Sequence, residues 1–212
     1  MKGGISMSKI LKTISFSSLL GNSMLIAMAV GLILYLICLI LFFRHKKPLQ
    51  IFFLAILFMY LAVVVSITVS ISLPNFWHIS TKSTAYAISR INWVPFKSAV
   101  NMLQNSIRIG NYKEFIRVIG GNFVMLMPLG ILVPLCNPHF RLGRMIAVSI
   151  LVPVAIEGLQ LLNNILMGSV IRTVEMEDVV LNAAGCLIAY LIFAGFRKLF
   201  RPKHKSRHAS YK

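Results

Sequence analysis

Five runs of about twenty apolar residues, at 23–43, 51–73, 118–136, 145–166 and 179–200, dominate this chain. Each is about as long as a helix crossing roughly 30 Å of hydrocarbon. Lipid offers a backbone no hydrogen-bond partner, so such runs fold as helices whose N–H and C=O groups satisfy one another. Hydrophobic residues make up 58% of the chain and charged ones 13%, against about 45–50% and 25% in ordinary soluble proteins. The expected fold class is all-α, a polytopic transmembrane bundle of about five spans. Basic residues and Pro, Gly or Asn punctuate the runs, as in Arg44 to Pro48, Pro74-Asn75, Asn137-Pro138 and Arg201-Pro202.

The formal net charge is +17, and its placement decides what it means. Arg197, Lys198, Arg201, Lys203, Lys205, Arg207 and Lys212 cluster at and beyond the end of the last run, and Arg44, Lys46 and Lys47 separate the first two. Lysine and arginine beside spans mark the cytoplasmic side and attract anionic lipid. That accounts for the basic excess, so anionic lipid at the basic tail is the expected partner and nucleic acid is not. With the C-terminus in the cytoplasm, five spans put the N-terminus outside, the Arg44 to Lys47 turn and the Arg141/Arg144 loop inside, and residues 74–117 and 167–177 outside. Lys2, Lys9 and Lys12 run against this orientation, as do basic residues of the long segment, although long loops weigh less in the rule. The first run is longer than a signal-peptide core and lacks a clear cleavage site, so it is read as a span.

The chain divides accordingly into an N-terminal segment (1–22), two spans (23–73), an outer-face interfacial segment (74–117), a three-helix core (118–200) and a basic cytoplasmic tail (201–212). Residues 74–117 are too many for a plain connection. Trp77, Trp93 and Phe96, with Val100, Leu103 and Ile107 at helical spacing, fit an amphipathic helix in the membrane interface or a loop packed over the bundle.

Only five acidic residues occur: Glu114, Glu157, Glu175, Glu177 and Asp178. Glu157 lies inside an apolar run, where an ionisable group is costly and normally faces the bundle interior or a wet cavity. Glu157, Gln160 and Asn164 share a helical stripe, and Asp178 and Asn182 share another face. In the orientation above, these groups and Asn122 converge on the outer half of the bilayer from three helices. The expectation is a polar pocket open to the outside, formed by Asn122, Glu157, Gln160, Arg172, Glu175, Glu177, Asp178 and Asn182.

Structural roles compete with that reading. Glu157 can glue helices together, and Glu175, Glu177 and Asp178 suit a helix N-terminus, where the dipole favours negative charge, or can pair with Arg172. Gly185 and Ala189 are explained by close helix packing, and Pro128 kinks its helix near Asn122. Cys38, Cys136 and Cys186 show no CxxC spacing and read as small packing residues. The acidic residues match no EF-hand or other recognised cation loop, so no metal or other cofactor is expected. No GxSxG, HExxH or P-loop occurs, and the five histidines offer no nucleophile constellation.

Four motifs in order resemble one known family. They are Arg90-Ile-Asn-Trp-Val-Pro-Phe96; Gly121-Asn-Phe-Val-Met-Leu-Met-Pro-Leu-Gly130 with Leu132-Val-Pro134; Glu157-Gly-Leu-Gln160; and Arg172-Thr-Val-Glu-Met-Glu-Asp178 with Leu181-Asn182 and Gly185. Together, over about 90–190, they resemble the VanZ-like family, with Asn92, Pro95, Phe96, Pro128, Gly130 and Gly185 as its structural positions. Glu175 and Glu177 stand where the family usually has Asp, which keeps the charge and changes its reach. The resemblance implies a multi-pass protein of the bacterial cytoplasmic membrane, its named member associated with teicoplanin resistance. The implied partner is a membrane lipid or a lipid-linked or anionic envelope component, with Arg172 suited to a phosphate or carboxylate. An intramembrane enzyme using a carboxylate as acid or base, and a transporter or scaffold, are the other classes that fit.

Overall fold

The computed structural model describes residues 25–43, 46–69 and 80–200. The ends of the chain lie outside that set, as do Trp77 and Leu73, so the N-terminal segment and the basic tail carry no structural account. Seven helices follow: α1 (Leu25–Phe43), α2 (Pro48–Thr68), α3 (Thr81–Ser89), α4 (Lys97–Ile109), α5 (Lys113–Cys136), α6 (Leu142–Met167) and α7 (Met176–Leu199). Five of them, α1, α2, α5, α6 and α7, are long and apolar enough to cross a membrane. The all-α polytopic architecture is as expected.

The helix ends differ from the expected runs in an instructive way. α2 begins at Pro48, whose fixed φ and missing N–H suit the first helical position. α5 begins at Lys113 and passes through a π-helical turn, Ile116–Gly120, before its apolar stretch. The expected run, 118–136, begins just after the charged Arg117. Such a residue sits readily at a helix end because its head reaches water from an apolar stem.

The described part of the 74–117 segment, 80–117, is largely helical. In α4, Ala99 and Ser106 are buried, whereas Val100, Leu103 and Ile107 are exposed, as is the nearby Trp93. An apolar stripe left bare on a short helix is what an interfacial helix presents to the lipid–water boundary.

α7 is the central post of the bundle, packing against both halves of α5 and against α6, while α2 packs on the second half of α5. One apolar cluster joins Val64 of α2, Leu126 and Leu129 of α5, Met145 and Ile156 of α6, and Cys186 and Tyr190 of α7. A second joins Tyr35 of α1, Leu54 of α2 and Cys136 of α5. The cysteines are unpaired, and Cys136 and Cys186 are buried packing residues. Large apolar side chains along the spans, such as Leu36, Phe52, Ile150 and Leu191, stay exposed where lipid would cover them.

Pro128 breaks α5 at Leu126, between Gly121–Met125 and Met127–Cys136. A proline has no N–H for the ladder and its ring crowds the preceding turn. Leu129 then bonds to the Leu126 carbonyl, and the Met125 carbonyl accepts instead from the Tyr60 hydroxyl of α2. α5 touches α7 backbone to backbone on both sides of this break. A Cβ at Gly185 would overlap the Phe123 carbonyl, and one at Gly130 would overlap the Cys186 carbonyl.

Gly185→Ala should lower stability by about 1–3 kcal/mol or more, the usual cost of overpacking. Gly158, where an added Cβ meets nothing within 4 Å, should tolerate alanine without loss. Thermal unfolding of the two variants in the same detergent compares them directly.

Candidate functional site

The polar residues collect at the end of the bundle where α7 begins. Glu175, extended, leads into α7, and Asn92 pairs with it in a parallel bridge. The Asn92 N–H donates to the Val174 carbonyl at 2.9 Å, and the Met176 N–H donates to the Asn92 carbonyl at 3.0 Å. This pairing ties the segment before α4 to the start of α7.

Phe96 then turns the chain into α4. Its φ of 62° is the only positive value among described non-glycine residues, in a region that L side chains seldom occupy. The turn delivers Ser98 and Ala99 to the acidic residues. The Asn92 side-chain amide donates to Ser98 Oγ at 2.8 Å, and the Ser98 hydroxyl donates to Glu175 Oε1 at 3.1 Å. The Ala99 N–H donates to Glu177 Oε2 at 3.2 Å, so Glu177 satisfies a first-turn donor of α4 that would otherwise lack a partner.

Three spans contribute the rest. Asn122 of α5 donates its side-chain amide to Asp178 Oδ1. From α6, Glu157 Oε2 accepts the Glu175 N–H at 3.2 Å. On α7, the Asn182 side-chain amide donates to the Asp178 backbone carbonyl at 2.8 Å. One carboxylate oxygen from each of Glu175, Glu177 and Asp178 lies within 4.8 Å of the other two. Burial pushes the Glu175 carboxyl up to about 7, with the neighbouring acids adding to the shift and the Ser98 hydroxyl opposing it.

Gln160, Asn164 and Arg172 form an adjoining group. They line a narrow crevice with Thr68, Val69 and Ile171. Asn164, 2% exposed, accepts the Ile171 N–H at 2.9 Å and donates to the Arg172 carbonyl at 2.7 Å. The Arg172 guanidinium donates to the Ile67 and Thr68 carbonyls at 3.3 and 3.2 Å. It therefore caps the last turn of α2 instead of forming an ion pair with the acids, since cations suit a helix C-terminus. Among the described residues the one ion pair is Arg117–Glu114, between two exposed side chains that take no part in the cluster.

The expected convergence of Asn122, Glu157, Glu175, Glu177, Asp178 and Asn182 is present, but as a packed cluster beside a crevice. A roomier cavity of about 440 Å³ lies at the opposite end, lined by Lys47, Phe53, His139, Phe193 and Arg197 among others. Three buried acceptors in the cluster region lack a partner: Gln160 Oε1, Glu177 Oε1 and Asn182 Oδ1. The contributions of Ser98 and the Ala99 N–H did not emerge from the sequence. Their signal was their place just after Asn92, Pro95 and Phe96.

Asn164 supports the approach to α7, and its removal should show it. Asn164→Ala removes the side-chain partner of the Ile171 N–H and the Arg172 carbonyl, a cost of about 0.5–1.5 kcal/mol for each hydrogen bond lost. Hydrogen exchange should accelerate at the Ile171 amide while amides in the middle of α2 keep their protection.

No curated protein and no solved structure matches this chain. The family described as VanZ/LLP1 matches it over residues 52–200. That match takes in most of α2, farther than the ordered motifs reach, and covers well over half of the sequence. The chain belongs to the VanZ/LLP1 family.

Proposed function

We propose that the protein sits in the bacterial cytoplasmic membrane with its C-terminus in the cytoplasm, and contributes to tolerance of teicoplanin-type or other cell-wall-directed agents. It does so by binding a lipid-linked envelope component at the outward-facing polar cluster. Membership of the VanZ/LLP1 family supports the setting. The observation that carries the site is the set of three buried acceptors without donors, Gln160 Oε1, Glu177 Oε1 and Asn182 Oδ1. Burying an acceptor without a partner costs free energy, and a native fold keeps such groups rarely. All three accept, so a fitting ligand presents donors: sugar hydroxyls, amides or an amine. A lipid-linked sugar or peptide has these and also an apolar part for the exposed faces of the spans. An anionic component would need a positive group between it and the carboxylates.

The second reading is an intramembrane enzyme acting on a lipid-linked substrate. It draws on the Asn122–Asp178 hydrogen bond and on Glu157 accepting the Glu175 N–H, which orient carboxylates beside one another as acid–base chemistry requires. In that case Glu157→Gln abolishes turnover while ligand binding survives.

The test is drug susceptibility in a sensitive Gram-positive host expressing wild type, Glu157→Gln, Asp178→Asn or the control Gly158→Ala at matched membrane levels. Wild type and the control should raise the inhibitory concentration of teicoplanin several-fold, more than that of vancomycin, and the two carboxylate variants should not. Equal protection by all four would overturn the assignment of the site, and protection by none would overturn the function.

A further inference from the structure

We propose that Glu175, Glu177 and Asp178 bind one divalent cation of Ca²⁺ size through one oxygen from each carboxylate. The proposal deepens the reading of this cluster as a ligand site and rests on it.

Each of the three carboxylates has one oxygen held by the protein: Glu175 by the Ser98 hydroxyl, Glu177 by the Ala99 N–H and Asp178 by the Asn122 amide. Those bonds fix the carboxylates side by side and leave Glu177 Oε1 without a donor. Glu177 makes the case independently of the clustering. It is 1% exposed and points into the cluster, yet its Oε1 has no partner. A buried charged oxygen in that condition is among the costliest groups in a protein unless a proton or a cation meets it.

Charge balance points to a cation. Arg172 is engaged with the α2 carbonyls, and no ion pair joins a described lysine or arginine to the cluster. The N-termini of α4 and α7 supply only about half a positive charge each, against three carboxylates.

Size selects among hard cations, which take carboxylate oxygens. Two oxygens on opposite sides of Ca²⁺ lie about 4.6–5.2 Å apart, whereas Mg²⁺ limits them to about 4.2 Å. One oxygen from each of the three carboxylates lies within 4.8 Å of the others, a span that the wider, more flexible shell of Ca²⁺ accommodates more readily than the tight octahedron of Mg²⁺. Glu175 and Glu177, longer than aspartate, give the reach and flexibility that a larger coordination shell tolerates. A bound cation with open coordination positions could also take a phosphate or carboxylate oxygen, which extends the proposed ligand to anionic lipid-linked components.

The test uses the full-length protein in nanodiscs of neutral phosphatidylcholine, so that lipid contributes no Ca²⁺ binding, after chelator treatment. Calorimetric titration should give one Ca²⁺ per chain, with Mg²⁺ weaker. Glu177→Gln, close in shape and neutral, should weaken binding by about tenfold or more, at least what disturbing an outer-shell partner costs a metal site. Glu114→Gln, on the exposed Arg117 pair, should bind as wild type does. Should Glu177→Gln fail to fold, Asp178→Asn provides the same comparison, with helical circular dichroism confirming the fold. Absence of a one-to-one site, or wild-type affinity in the folded cluster variant, overturns the proposal and leaves protons as the neutralising charge. Susceptibility plays no part in this readout, so the cation site and the tolerance function fail separately.

Discussion

A backbone bridge two hydrogen bonds wide holds the polar end of this molecule together. Asn92 lies some eighty positions before Val174 and Met176 in the chain, and its main chain takes one bond from each side of Glu175. Without that pairing, α4 would have no reason to aim its N-terminus at Glu177. Ser98 would not reach Glu175, and the acids would face only one another. An extended backbone near a membrane must find partners, and here each segment is the other's partner. The bridge thus solves a hydrogen-bonding problem and assembles a site in the same step.

The global architecture was legible in the sequence because the dominant force leaves a long, regular mark. Twenty apolar residues in a row admit few folds in lipid, and all five spans appeared close to where they were expected. Side-chain spacing also carried well wherever a helix was the carrier. Asp178 and Asn182, four apart on one helix, both belong to the cluster, the Asn182 amide donating to the Asp178 backbone carbonyl. Glu157 and Gln160 both turn inward.

What the sequence did not display are relations between segments distant along the chain. Arg172 looked like a partner for neighbouring acids, yet it reaches back to the carbonyls of Ile67 and Thr68. Proximity in sequence favoured the acids, and only the packing of α2 against the site brings the carbonyls near. Nor does any periodicity reveal that Phe96 adopts a left-handed conformation, or that Ala99 contributes through its backbone. Groups that act through the main chain have no signature in residue type.

The break in α5 has a mechanical meaning. A proline interruption in a membrane helix ordinarily lets one half swing against the other. Here the half before the break rests against Gly185 through Phe123, and the half after it rests against Cys186 through Gly130. Both halves therefore bear on neighbouring residues of one uninterrupted helix, with Tyr60 occupying the carbonyl freed between them. The interruption works as a fixed elbow, and any rearrangement at the polar end has to carry α5 and α7 together or come from the segments above them.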